Sequence, residues 1–101
     1  MSDDKIPVRV EPELADIVPI FLERRRQEVA TLRQALADGD YEAIARAGHS
    51  MKGTGGGYGF AAISEIGARL DRAGKAADAA AIGGLIDELA DYLERLELVH
   101  D

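Results

Sequence analysis

The chain has 101 residues, enough for one domain, and its 47% apolar and 31% charged residues are the profile of a globular protein with a single core. Cysteine is absent, which excludes a disulfide scaffold, a thiolate zinc site and a cysteine nucleophile. Acidic residues outnumber basic ones 19 to 12, a net charge of −7, so nucleic acid is not expected as a partner.

With 5% aromatics and no Trp, the core must come from Leu, Ile, Val and Ala. No apolar run approaches the ~20 residues needed to cross a bilayer, so no membrane partner is expected either. The start, Met1-Ser2-Asp3-Asp4-Lys5, lacks a cationic region followed by an apolar stretch and does not read as a secretory signal. The expected location is the cytoplasm.

Residues 1–10 show no helical period and read as a flexible or extended lead-in, with a single domain over residues 11–101. From Pro12 onward the pattern is helical. Val18, Phe21, Leu22, Val29, Leu32 and Leu36 recur at helical spacing and mark one buried stripe. Pro19 cannot donate a backbone hydrogen bond inside a helix, so either residues 12–18 form a separate short helical turn or the first long helix is kinked there.

Asp38-Gly39-Asp40 reads as a stop and restart, with Gly39 ending one helix and Asp40 capping the next. Tyr41, Ile44, Gly48, Met51, Gly55 and Tyr58 then step by 3, 4, 3, 4, 3. A third long segment opens near Gly59, carries Phe60, Ile63, Gly67 and Leu70, and ends around Gly74. Asp78 caps the last, in which Ile82, Leu85, Leu89, Tyr92, Leu96 and Val99 repeat the same steps. No stretch is read as a strand. Four amphipathic segments joined by short loops predict an all-α fold, an antiparallel up-down-up-down four-helix bundle with a short extra N-terminal helix.

Most functional templates fail on inspection. No Gly-rich loop ends in Gly-Lys-Ser/Thr, and the glycines of residues 53–59 follow Lys52 instead of preceding it, with no strand feeding them. His49 and His100 lie 51 positions apart, so no metal site is expected. Glu88, Asp91 and Glu94 read as a solvated helix face, and so does the basic run Arg24-Arg25-Arg26, with docking to an acidic partner as its minor reading.

His49 remains. At about 100° of turn per residue it projects roughly 130° from the centre of its helix's apolar stripe, into solvent. Its neighbours one turn away are Ala45, Arg46, Lys52 and Gly53. Neutral imidazole is a good nucleophile near pH 7, and adjacent cations favour the neutral form. Arg46 and Lys52 suit stabilisation of an anionic phosphoryl group in transit. Gly53, Gly56 and Gly57 leave a bare surface on the same side, open to a partner, while Gly55 faces inward. The glycines each cost about 1 kcal/mol against Ala in a helix interior. Two outcomes are therefore open: the helix ends near Thr54, or bundle packing carries it onward.

The run Ala47-Gly48-His49-Ser50-Met51-Lys52-Gly53-Thr54-Gly55-Gly56-Gly57-Tyr58-Gly59-Phe60 resembles the signature of histidine phosphotransfer (HPt) domains. That pattern is His, any residue, Leu or Met, Lys, Gly, Ser or Thr, three mostly small residues, an apolar residue and Gly; every fixed position is met. The resemblance extends over most of the chain, with Gly55-Gly56-Gly57 richer in glycine than the family pattern.

The resemblance implies that His49 takes a phosphoryl group from the phospho-aspartate of a response-regulator receiver domain and passes it to the aspartate of a second receiver. It implies a carrier in a phosphorelay, not an enzyme with its own ATP site, and no cofactor; the receiver brings Mg²⁺ and the acidic pocket. Lys52 and Arg46 would steady the phosphoryl group, and Ala45, Gly53, Gly56 and Gly57 would admit or dock the receiver. The chain reads as a free-standing, monomeric module. Two alternatives are the His-bearing domain of a larger CheA-type or hybrid histidine kinase, and a helical adaptor whose His49 is never phosphorylated.

Overall fold

The computed structural model describes residues 4–100. The chain runs through strand β1 (Ile6–Val10), a 3-10 turn (Pro12–Leu14), helices α1 (Val18–Ala37) and α2 (Tyr41–Gly55), a second 3-10 turn (Gly56–Tyr58), helices α3 (Ala61–Lys75) and α4 (Ala79–Arg95), and strand β2 (Leu96–His100). The four helices dominate.

Their boundaries follow from local chemistry. Pro19 falls in the first turn of α1, where the missing N–H costs nothing and the fixed φ suits helix entry. It therefore starts the helix instead of kinking it. The expected extra N-terminal helix is a single 3-10 turn. Asp40 accepts a hydrogen bond from the Ala43 amide at 3.1 Å, and Asp78 accepts one from Ala81 at 3.1 Å; each cap satisfies an orphan donor of its helix.

Three of the helical stops share one device. After α1, the Asp40 amide reaches the Ala35 carbonyl and the Gly39 amide reaches Leu36, with Gly39 at φ +69°. After the second 3-10 turn, Phe60 reaches Gly55 and Gly59 reaches Gly56, with Gly59 at φ +87°. After α3, Asp78 reaches Ala73 and Ala77 reaches Gly74. These are Schellman stops, which need a left-handed residue. The third is built on Ala77 at φ +52°, a conformation a Cβ disfavours.

Glycines set how α2 and α3 meet. A Cβ on Gly48 would stand 2.5 Å from the Asp71 backbone nitrogen, and one on Gly67 would stand 2.6 Å from that of Lys52. Gly55 faces Ser64 and Gly74 faces Ala45 in the same way. The two helices touch backbone to backbone at these points. Around this crossing Ile44, Met51, Phe60, Ile63, Leu70, Ile82, Ile86 and Leu89 are buried, each such aliphatic or aromatic side chain contributing about 1.5–3 kcal/mol.

The strands depart from the all-helical expectation. β1 and β2 pair in parallel, Ile6 opposite Leu96 through Val10 opposite His100. Over residues 6–10 the expected lead-in is thus a strand; Met1, Ser2 and Asp3 lie outside the described residues. The last helix ends at Arg95, so Leu96 and Val99 belong to β2 and not to α4. Ile6, Val8, Leu96 and Leu98 pack against the core and Val10 joins it, while Pro7, Arg9, Glu97 and Val99 alternate with them. Ile6-Pro7-Val8-Arg9-Val10 therefore carries a period-two pattern that Pro7 and the short length conceal.

Candidate functional site

His49 lies on the outer side of α2, next to Gly48 at the crossing with α3. Its side chain is 78% exposed. Burial of Ile44, Gly48, Met51 and Gly55 fixes the inward face of the helix, so the intervening His49, Lys52, Gly53 and Gly56 turn outward. The α-helix continues through Gly55, tightens into the 3-10 turn Gly56–Tyr58 and stops at Gly59. Helical structure thus runs past Thr54. Bundle contacts hold this glycine-rich end: Tyr58 stacks on Phe21 of α1 with ring centroids 4.5 Å apart, and Arg25 donates to the Thr54 hydroxyl at 3.4 Å.

Each residue expected around the imidazole has a distinct placement. Lys52 is exposed, and no ion pair engages its ammonium among the described residues. Its backbone is held on the α3 side, where Ser64 Oγ donates to the Lys52 carbonyl at 2.6 Å. Arg46 is exposed but leans back toward Glu42, its guanidinium 3.5 Å from that carboxylate. Gly53, Gly56 and Gly57 are exposed, with open space where a Cβ would stand. Ala45 is half-buried against Gly74 and lines the groove beside His49.

One charged group that faces the ring was not among those expected. Asp71 of α3 places Oδ2 3.7 Å from His49 Nδ1, and its side chain is only 13% exposed. Lys75, one turn on, holds the other carboxylate oxygen at 3.3 Å. Gly48 packs against the backbone of Gly67 and Asp71, with Ala45 opposite Gly74 and Gly55 opposite Ser64, and this register brings position 71 beside position 49. The basic neighbours on α2 are legible from one helix, whereas the acidic neighbour requires knowing how two helices cross.

The ring turns Nδ1 toward the Asp71 carboxylate, and around this exposed imidazole lie a free ammonium one turn away and a side-chain-free surface beyond it. A family model for the Hpt domain matches residues 16–98. The chain belongs to the Hpt domain family. No curated protein and no solved structure matches it. The Hpt domain family is one of histidine phosphotransfer in phosphorelays, in which its members interact with receiver domains, and His49 is the histidine of this Hpt domain that stands in the signature run. His100, in β2, lies outside the family match.

Two further facts bound the chemistry. Among the described residues, no group of three His, Cys, Asp or Glu side chains is placed to hold a metal ion. Among the described residues, no helix is long and apolar enough to cross a membrane.

Proposed function

We propose that His49 carries a phosphoryl group between two receiver domains. The observation that carries this reading is the placement of His49: exposed, with Nδ1 toward Asp71 and Nε2 open to a partner. In the forward step the Nε2 lone pair attacks phosphorus of the receiver's aspartyl phosphate. The N–P bond forms as the P–O bond to the aspartate breaks, and the carboxylate leaves with the electron pair. The proton stays on Nδ1, facing Asp71. Transfer to the second receiver is the reverse, with its aspartate oxygen as nucleophile and the imidazole as leaving group.

Lys52 offers its ammonium to the phosphoryl oxygens as charge is redistributed in the transition state, and Arg46 adds a second, more distant cation. Gly53, Gly56 and Gly57 let the receiver's active site close over the ring. Mg²⁺ comes with the receiver. The protein itself is a carrier without an ATP site, acts as a monomer in the cytoplasm, and needs no cofactor.

The bundle reading belongs to the same proposal: four helices alternating up and down, each antiparallel to the next. Supporting it, Ala45 meets Gly74 while Gly55 meets Ser64 between α2 and α3. Arg33 of α1 pairs with Asp87 of α4 at 2.9 Å, and Arg69 of α3 pairs with Glu88 of α4 at 3.0 Å.

The test is phosphotransfer from a panel of labelled phospho-receivers of the source organism, run beside His49→Gln. Acid-labile, alkali-stable label on the wild type and none on the variant is the expected result. Binding of a receiver with no transfer from any of them would instead support an adaptor.

A further inference from the structure

We infer that Arg25 of α1 is a positioning residue for the relay, holding the glycine-rich end of α2 in the helical form that a receiver meets beside His49; this rests on the relay reading and deepens it. Residues 53–58 read Gly-Thr-Gly-Gly-Gly-Tyr. Glycine is the poorest helix former after proline, so this run has no helical preference of its own. It is helical nonetheless, as α-helix through Gly55 and as the 3-10 turn Gly56–Tyr58. Gly53, Gly56 and Gly57 have open space where a Cβ would stand, and only Gly55 packs closely, against Ser64 of α3.

Thr54 and Tyr58 are the only side chains in the run, and α1 holds both. They stand four residues apart, as do their partners Arg25 and Phe21. Tyr58 stacks on Phe21 with ring centroids 4.5 Å apart, and Arg25 Nη1 donates to Thr54 Oγ1 at 3.4 Å. The arginine is itself fixed. Its Nη2 lies 2.6 Å from Glu28 Oε2, its guanidinium carbon lies 5.1 Å from the centre of the Phe21 ring, and its side chain is only 11% exposed. Two arms of one guanidinium thus serve a carboxylate on α1 and a hydroxyl on α2, which the point charge of a lysine cannot do. The Thr54 hydroxyl passes the hold to the backbone, donating to the Ser50 carbonyl at 3.0 Å, directly after His49.

A receiver closing over His49 crosses exposed Gly53, Gly56 and Gly57. Were that turn frayed, it would have to be ordered in the encounter, and the apparent affinity would fall with the fraction of molecules in which it is formed. Arg25 orders the turn before the partner arrives, acting through Thr54 and not on the imidazole. A small phosphoryl donor reaches the exposed ring alone and needs none of this order. The hold therefore matters for transfer from a receiver and not for the reactivity of His49.

The experiment compares wild type, Arg25→Lys and Thr54→Val in the full chain, using the receiver that labels the wild type and phosphoramidate as the small donor. Arg25→Lys keeps a cation beside Glu28, and Thr54→Val keeps the shape of threonine, so both are expected to stay folded. Amide hydrogen exchange at Gly55, Gly56 and Gly57 is expected to quicken by about fivefold or more in each variant. Transfer from sub-saturating receiver is expected to weaken by about threefold or more, through its concentration dependence, with the saturated rate and phosphoramidate labelling unchanged. Gly56→Ala adds helix preference where nothing stands within 4 Å, and in that background the effect of Arg25→Lys on both readouts is expected to shrink. Unchanged exchange in both variants overturns the inference, and so does faster exchange with unchanged transfer. A loss of transfer that is no smaller in the Gly56→Ala background overturns it too, because Arg25 then acts on the receiver directly. Failure of every receiver to label the wild type, with phosphoramidate labelling intact, overturns the relay reading and the purpose assigned to Arg25 with it, and the exchange rates tell that failure from the loss of the hold itself.

Discussion

Asp71 Oδ2 stands 3.7 Å from His49 Nδ1 across the glycine-lined crossing of α2 and α3, and Lys75 holds the opposite oxygen of the same carboxylate at 3.3 Å. The carboxylate is nearly buried while the ring it faces is exposed. It is thus poised to orient the imidazole without covering the nitrogen that reacts. At 3.7 Å the pair is longer than a hydrogen bond, and such contacts tighten when a reacting complex forms.

Asp71→Asn is accordingly expected to slow phosphoryl acceptance by about tenfold or more, less than loss of a direct general base because Asp71 acts through the ring. Single-turnover transfer measures the rate. Nitrogen NMR of the imidazole measures the Nδ1–H tautomer, which should fall in population in the variant while His100 stays unchanged. An unaltered tautomer and rate would reduce Asp71 to a partner of Lys75 alone.

Gly48 and Gly53 should respond oppositely to the same substitution. Gly48→Ala forces a Cβ to within 2.5 Å of the Asp71 backbone nitrogen and 2.6 Å of the Gly67 carbonyl oxygen, so the helices must part. A loss of about 3 kcal/mol is expected. Gly53→Ala meets nothing within 4 Å and removes a flexible residue from a helix, so stability should rise by about 0.5–1 kcal/mol. Urea unfolding of both variants decides the matter. Gly53→Gln should stay folded yet transfer poorly, because its side chain occupies the approach to His49.

Ala77 holds a left-handed conformation that the other two stops assign to glycine. Ala77→Gly should relieve roughly 1 kcal/mol of backbone strain, offset in part by the greater freedom of glycine in the unfolded chain. A net gain of a few tenths of a kcal/mol in chemical denaturation is the expected outcome. A loss would mean that the Cβ of Ala77 contributes packing that exceeds its strain.

Glu28 supplies a pH signature. Burial raises its carboxyl above the ordinary value, and the Arg25 guanidinium at 2.6 Å only partly offsets this. In the window between the unfolded and the raised folded value, the native state binds more protons than the unfolded one. Through this group alone, stability therefore falls as pH rises across that window and is constant above it. Glu28→Gln should remove that contribution. Urea midpoints of the two proteins, followed from mildly acid to neutral pH, should differ in slope only there.

How much was legible in the sequence depends on the range of the interaction. The helix stop at Gly39 and the caps Asp40 and Asp78 are each decided within a few residues, and they read correctly, whereas Gly59, read as the opening of a segment, is the left-handed stop before α3. So did the outward set His49, Lys52, Gly53, Gly56 and Gly57, because burial of one face of α2 follows from its own period. The strand β2 did not. Leu96 and Val99 continue the heptad-like steps of α4 on paper, and only β1, 90 positions away in register, draws them into extended pairing.

The sequence by itself therefore determined four helices, the Asp40 and Asp78 caps and the exposed histidine, since backbone capping and amphipathic period are local properties of the chain. Tertiary structure alone decided what faces that histidine. Asp71 reaches His49, and Arg25 reaches Thr54, only because glycine-to-glycine contact sets the α2–α3 crossing and the Phe21–Tyr58 stack sets α1 against α2. Those distances depend on how side chains interlock between segments far apart in the chain, which no single segment specifies.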